Sequence, residues 1–269
     1  MVIQKVNLNV ESGGIATITL NNPGKHNAFD DEMIAALTQY FDQVNADDSV
    51  RVLVLAANGR SFSAGADLAW MKRMAEYGYD ENLADAQKLA AMLQTLNTLT
   101  KPTIAKVQGA TFGGGVGLVS CCDIAVASNH ASFCLSEVKI GLAPATISPY
   151  VVQAMGSRAA RRYCTTAERF DAATALRIGL ISELVTADEL DTTVNMIANA
   201  ICNNGPAAVT AAKHLIRDVQ NQTIDANLMQ QTSELIATLR SSIEGKEGLA
   251  AFLDKRPASW LNQQPTSDE

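Results

Sequence analysis

Residues 50–57 read VRVLVLAA, an apolar run broken only by Arg51. A strand with one wet face alternates apolar and polar side chains. A run without that alternation is covered on both faces, as in a parallel strand lying between layers of helix. The neighbouring segments agree. Residues 16–20 (ATITL) alternate as a strand and stop at the turn Asn21-Asn22-Pro23-Gly24. Met33, Ile34, Leu37, Phe41 and Val44 then recur at helical spacing behind Asp30, a fitting N-cap. Helical spacing returns over residues 82–99. Residues 102–107 read as another strand, a helix opens at about Gly114, and residues 124–127 and 132–135 are short strands. Strands alternating with helices define an α/β fold.

Beyond about Asp188 the strand signals stop. Residues 188–203, 206–219, 225–243 and 245–255 all carry helical patterns. The break Asn203-Asn204-Gly205-Pro206 divides an α/β core, residues 1–204, from a helical region, residues 205–269. The polar tail, residues 263–269, is expected to be disordered.

Hydrophobic residues make up 47% of the 269, enough for a substantial core. The charged share of 18% is below the usual level, which fits a chain that buries surface in an oligomer. A formal net charge of −7 gains nothing from counterion release, so a nucleic-acid role is disfavoured. The five cysteines include no C-x-x-C pair and read as reduced core thiols. No apolar run approaches the roughly 20 residues of a membrane span. The first residues show no targeting pattern, and a cytoplasmic protein is expected.

The three histidines, at 26, 130 and 214, form no metal-ligand spacing, so no metal is expected. Gly59-Arg60-Ser61-Phe62-Ser63 misses the last glycine of a hydrolase elbow, and no G-K-[ST] follows Gly113-Gly114-Gly115. Two loops of small residues remain, each between a strand and a helix. One runs Ser61-Phe62-Ser63-Ala64-Gly65-Ala66-Asp67-Leu68, and the other runs from Gly109 to Gly117. Small residues admit a ligand close to the backbone, and amides at a helix start point outward unpaired. Each loop alone reads equally as a tight turn. Together they could place one N–H each on a single oxygen, as an oxyanion hole does. Glu137 follows the apolar Phe133-Cys134-Leu135. Desolvation there would raise its pKa and suit it to acid/base work, while pairing with Lys139 would make it an ordinary surface carboxylate. The residues alone leave both open.

Taken in order, several segments resemble the crotonase (enoyl-CoA hydratase/isomerase) superfamily over nearly the whole chain. They are Lys25-His26-Asn27-Ala28-Phe29, Phe62-Ser63-Ala64-Gly65-Ala66-Asp67-Leu68, Gly113-Gly114-Gly115, Cys122-Asp123-Ile124-Ala125, Ser136-Glu137-Val138-Lys139-Ile140-Gly141-Leu142, and the closing stretch from Gly248 to Arg256. The resemblance implies a ClpP/crotonase-like spiral of β-β-α units with a C-terminal helical trimerisation region. It implies that the Ala66 and Gly114 N–H groups hold a thioester oxygen and that Glu137 is the acid/base. It further implies that Lys25, Ala28, Ala64, Asp67 and Leu68 line the path of coenzyme A. Phe252 and Lys255 would reach coenzyme A, often that of a neighbouring subunit. Coenzyme A is then part of the substrate, no separate cofactor is implied, and the assembly is a homotrimer or a dimer of trimers.

Hydratases of this superfamily commonly carry a second glutamate twenty residues before the first, and here that position is Gly117. The departure points toward an isomerase that shuttles one proton with Glu137. A polar pocket at Gly117 would hold water. A closer likeness pulls toward hydration. Residues 112–123, 135–138 and 145–150, with Ser63 to Met71, resemble bacterial methylglutaconyl-CoA hydratases of leucine breakdown. Residues 71–89 and 145–150 are expected to wall the acyl pocket. A non-catalytic binding protein on the same fold is the third reading. Some relatives are reported to bind RNA, but the acidic balance argues against that here.

Overall fold

The computed structural model describes residues 4–261. The chain opens with an antiparallel pair, β1 (Val6–Val10) and β2 (Ile15–Leu20), followed by α1 (Asp31–Ala46). Asp30 caps α1 by accepting the Met33 N–H at 2.9 Å. The helix buries the five apolar side chains that its spacing marked.

A repeating unit then builds the body. Each pass lays one strand in a large sheet, crosses two or three residues, lays a strand in a small sheet, and proceeds to a helix. The first pass is β3 (Val52–Ala57), β4 (Ser61–Ser63) and α2 (Leu68–Met74), extended by α3 (Tyr79–Thr98). The second is β5 (Thr103–Val107), β6 (Ala110–Phe112) and α4 (Gly114–Cys121). The third is β7 (Ile124–Ser128), β8 (Ser132–Cys134) and α5 (Ser148–Thr166). Then come β9 (Phe170–Asp171), α6 (Ala172–Arg177), β10 (Glu183–Val185) and α7 (Leu190–Cys202). The large sheet has the order β1-β2-β3-β5-β7-β10, parallel from β2 onward, and the small one the order β4-β6-β8-β9. This is the expected spiral of β-β-α units.

The apolar run at β3 has a direct cause. Leu53 and Leu55 point into the main core with α1, α3 and α4. Val52, Val54 and Ala56 point into a second core closed by Leu190, Val194, Ala198 and Cys202 of α7. Both faces of the strand are dry, so neither face tolerates a polar side chain.

After Gly205 the described residues hold only helix: α8 (Pro206–Val219), α9 (Ala226–Ser241), α10 (Ile243–Asp254) and a short 3-10 turn. The pattern over residues 225–243 spans two helices. Ser242 separates them and caps α10 by accepting the Gly245 N–H at 2.9 Å. The tail, residues 263–269, lies outside the described residues. All five cysteines are free, and Cys121, Cys134 and Cys202 are buried.

Candidate active site

Three segments meet at the ends of β4, β6 and β8. Asn27, buried and in the left-handed region, ties the first to the second. Its side-chain amide donates to the carbonyls of Asn58 and Ser61, both at 2.9 Å, and its own carbonyl accepts the Ser63 hydroxyl at 2.9 Å. The Ala64 N–H donates to the His26 carbonyl at 2.9 Å. The Phe29 N–H donates to the Gly65 carbonyl, and the Asp67 N–H donates to the Phe29 carbonyl, each at 2.7 Å. These two bonds form an isolated parallel bridge opposite Ala66. Along extended chain, successive N–H groups point to opposite sides. The Ala66 N–H therefore faces away from Phe29, and Ala66 is exposed.

The second loop closes on the first. Gly65, at φ +88, lies against the next strand end: a Cβ there would stand 3.3 Å from the Phe112 carbonyl oxygen. Gly113, at φ +52, donates its N–H to the Cys134 carbonyl at 2.9 Å, and a Cβ on it would stand 3.8 Å from Gly65 Cα. The left-handed backbone at both positions favours glycine. Gly114 begins α4, where an N–H has no acceptor within the helix. Among the described residues neither the Ala66 nor the Gly114 N–H donates to another backbone group. Gly65 and Gly113, the residues just before Ala66 and Gly114, thus lie against each other beside the positive end of α4.

Glu137 completes the cluster. It starts a 3-10 turn, Glu137–Ile140, three residues past the end of β8. Its Oε1 lies 3.1 Å from where a Gly113 Cβ would be. Its Oε2 is buried with no hydrogen-bond partner, and the side chain makes no ion pair with Lys139. Burial pushes the carboxyl above its ordinary value, as expected of a group meant to exchange a proton.

The remaining sequence candidates divide. Lys25 Nζ pairs with Asp67 Oδ2 at 2.8 Å. Asp67 also caps α2, accepting the N–H groups of Ala69 at 2.9 Å and Trp70 at 3.2 Å. The Lys25 ammonium and these N–H groups hold the Asp67 carboxyl below its ordinary value. Ala28 is buried, Ala64 half-buried, and Leu68 exposed on the first turn of α2. Phe252 and Lys255 are exposed at the end of α10, and neither side chain makes a hydrogen bond or an ion pair with these loops. Grooves of 670 Å³ between α8 and α9 and 720 Å³ along α1 and α3 share no residue with them.

One expectation fails. The space at Gly117 is not a polar, water-holding pocket. Gly117 is buried, and a Cβ there would run into Cγ2 of Ile147, 3.0 Å from Ile147 Cβ and 3.5 Å from Leu93 Cδ2. The surroundings are aliphatic and filled, and such a space offers water no partners. Phe29 likewise has a role that the sequence did not reveal: its ring covers Gly114, 3.1 Å from where a Cβ would be.

The sequence profile of the family described as enoyl-CoA hydratase/isomerase matches residues 10–263. The chain belongs to that family. It is 32% identical over 252 residues to the short-chain-enoyl-CoA hydratase of Clostridium acetobutylicum, covering 91% of this chain and 94% of that one. It is 32% identical to the 2,3-dehydroadipyl-CoA hydratase of Escherichia coli, covering 90% and 93%. Its structure superposes on an enoyl-CoA hydratase from Shewanella pealeana with a TM-score of 0.92 at 46% identity, covering 96% of this chain and 97% of that one.

Proposed function

We propose that the protein hydrates a 2-enoyl-CoA thioester, with methylglutaconyl-CoA as the substrate and leucine breakdown as the setting. The observation that carries the reading is the Glu137 carboxyl against Gly113, its Oε2 buried without a partner, where the loops bearing the Ala66 and Gly114 N–H groups touch. In this reading the thioester oxygen accepts from Ala66 and Gly114. Glu137 takes a proton from water as the water oxygen bonds to Cβ, and the negative charge passes to the thioester oxygen as an enolate. The two N–H groups stabilise that charge, and one such donor typically contributes about 3–4 kcal/mol to lowering the barrier. Glu137 then gives its proton to Cα, so one carboxylate serves twice and water is added across the double bond. Lys25, Ala28, Ala64, Asp67 and Leu68 line the coenzyme A path. Phe252 and Lys255 reach a coenzyme A from α10, and no separate cofactor takes part.

The filled space at Gly117 gives a specific ground for a second reading, isomerisation of a 3-enoyl-CoA by Glu137 alone. The two are separated by absorbance of the conjugated enoyl thioester. Hydration of methylglutaconyl-CoA or crotonyl-CoA removes it, and isomerisation of a 3-enoyl-CoA creates it. Hydration of methylglutaconyl-CoA well above that of crotonyl-CoA is the expected result. No turnover of any acyl-CoA would overturn both readings.

A further inference from the structure

The turns that lead from the large sheet to the small one are neighbours, and one side chain holds the first of them from the second. Gln108 follows β5, and its amide nitrogen donates to the carbonyls of Ala57 at 3.0 Å, Gly59 at 2.9 Å and Ser61 at 3.1 Å. These carbonyls span the whole turn between β3 and β4. The Ser61 carbonyl also accepts from the Asn27 amide at 2.9 Å, so both of its lone pairs are used. Gly109 closes on the same turn, where a Cβ would run into the Arg60 carbonyl oxygen. The Ser128 hydroxyl, at the end of β7, donates to the Gln108 carbonyl at 2.9 Å. The third turn thereby anchors the second, and the second anchors the first.

The ladder between β4 and β6 cannot do this alone. It pairs Ser61 with Ala110 and Ser63 with Thr111, and the register shifts between them at Phe62. So short a pair, with an extra residue in one strand, specifies its register weakly. β4 runs into the loop that bears the Ala66 N–H, and β6 runs into Gly113 and the Gly114 N–H. A slip of one residue would move one loop past the other by about 3.3 Å, more than the length of a hydrogen bond. The Gln108 Oε1 is buried without a partner, a cost that an apolar side chain of the same length would avoid. We propose that Gln108 is a positioning residue for catalysis: by clamping the first turn it fixes β4 against β6 and so sets the spacing of the Ala66 and Gly114 N–H groups. This rests on reading those groups as the thioester-oxygen site.

The test uses Gln108→Met, which keeps the length of the side chain and removes its donors, and Gln108→Asn, which keeps the donors on a shorter stem. With crotonyl-CoA, kcat should fall at least about tenfold in Gln108→Met and by less in Gln108→Asn. Kd for free coenzyme A, which has no thioester oxygen, should stay within about threefold of wild type. The N–H groups also have a spectroscopic signature, because donors on the thioester oxygen shift the absorbance of bound hexadienoyl-CoA to longer wavelength. In the Glu137→Gln background, where the ligand is not turned over, adding Gln108→Met should remove at least about half of that shift. A folded Gln108→Met protein with kcat within about twofold of wild type overturns the proposal. So does one that keeps the full shift, or one that loses coenzyme A binding in step with kcat. If Gln108→Met does not fold, Gln108→Asn is judged by the same criteria. If Glu137→Gln alone produces no shift, the reading of the thioester site fails by itself. Gln108 is then judged on amide hydrogen exchange over residues 61–66, which should quicken at least about tenfold in Gln108→Met; unchanged exchange overturns the clamp.

Discussion

At the scale of single residues, Glu137 carries the sharpest expectations. Its carboxyl is raised above the ordinary 4.5 by burial. A raised carboxyl binds its proton more tightly in the folded state than in the unfolded state. It therefore favours folding below the ordinary value and loses that contribution as pH climbs through the raised one. The catalytic consequence follows the charge. Glu137 must be ionised to take a proton from water, so kcat/KM should rise with pH through an inflection above 4.5. Glu137→Gln keeps the shape, removes the transferable proton and abolishes that inflection. Its kcat should fall by far more than tenfold while acyl-CoA binding persists. Retention of a tenth of wild-type kcat, a loss of only about 1.4 kcal/mol, would show that Glu137 is not the acid/base. Sequence could locate this residue but not its state. The choice between desolvation and pairing with Lys139 depended on where a 3-10 turn aims two side chains, and no local pattern encodes that. Phe29 and Ile147 were hidden for a related reason: each acts by covering a glycine distant in the chain.

At the scale of elements, legibility followed length. α1 and α3 were readable because five or more apolar positions repeat at helical spacing, as Met33 to Val44 do, and β3 because its apolar run is unbroken over six residues. β4, β6 and β8, three residues each, sit in stretches that read as loops or barely as strands, since three residues cannot show a period. β9, β10 and α6 are too short as well, whereas β1 went unread although Val6, Leu8 and Val10 alternate with asparagines. α5 went unread because Gly156, at φ +75, breaks its backbone mid-course. The short elements hold the site, so their stability is testable there. Asp67 caps α2 and also pairs with Lys25, from a nearly buried position. Asp67→Ala should cost about 1 kcal/mol through the lost cap, more with the ion pair, and loosen the loop that aims Ala66. Asp67→Asn should keep the cap and lose only the pairing. Thermal melts of the two variants check the order, and equal Tm values would contradict it. On α4, Gly117→Glu would set a carboxylate into the aliphatic space held by Ile147. Overpacking of about 1–3 kcal/mol, with burial of a charge in addition, should lower Tm and activity toward every substrate. A variant with higher crotonyl-CoA hydration and unchanged Tm would show that this space yields.

At the scale of the whole molecule, the C-terminal helices pose a packing question. α8 and α9 bury no residue fully, and α10 buries only Ala251. Yet these helices and their links present Ile216, Ile224, Met229, Ile243, Phe252 and Leu253 to the outside. Polar contacts join the half-buried Val209, Leu215 and Val219 in holding α8. Lys213 pairs with Asp123 at 2.7 Å and donates to the Lys101 carbonyl at 3.0 Å, while Asp123 also accepts from the Thr103 N–H and hydroxyl. Asp123 thus links β5, the start of β7 and α8. Exposed aliphatic and aromatic side chains on a helical layer are what a subunit interface requires. We propose that the chain divides near residue 204 into a core that builds the site and a helical layer that joins copies. The expected assembly is a trimer or a pair of trimers, with a sedimentation mass about three or six times the 28.6 kDa chain. Lys213→Met should separate docking from assembly. It leaves Asp123 with only Thr103, frees α8 from the core, and should shift the protein toward monomer on dilution while the α/β core keeps its near-ultraviolet circular dichroism. A wild-type monomer at micromolar concentration would overturn the subunit-interface reading. A Lys213→Met protein that assembles as wild type does would show that the helical layer is held by packing rather than by this ion pair.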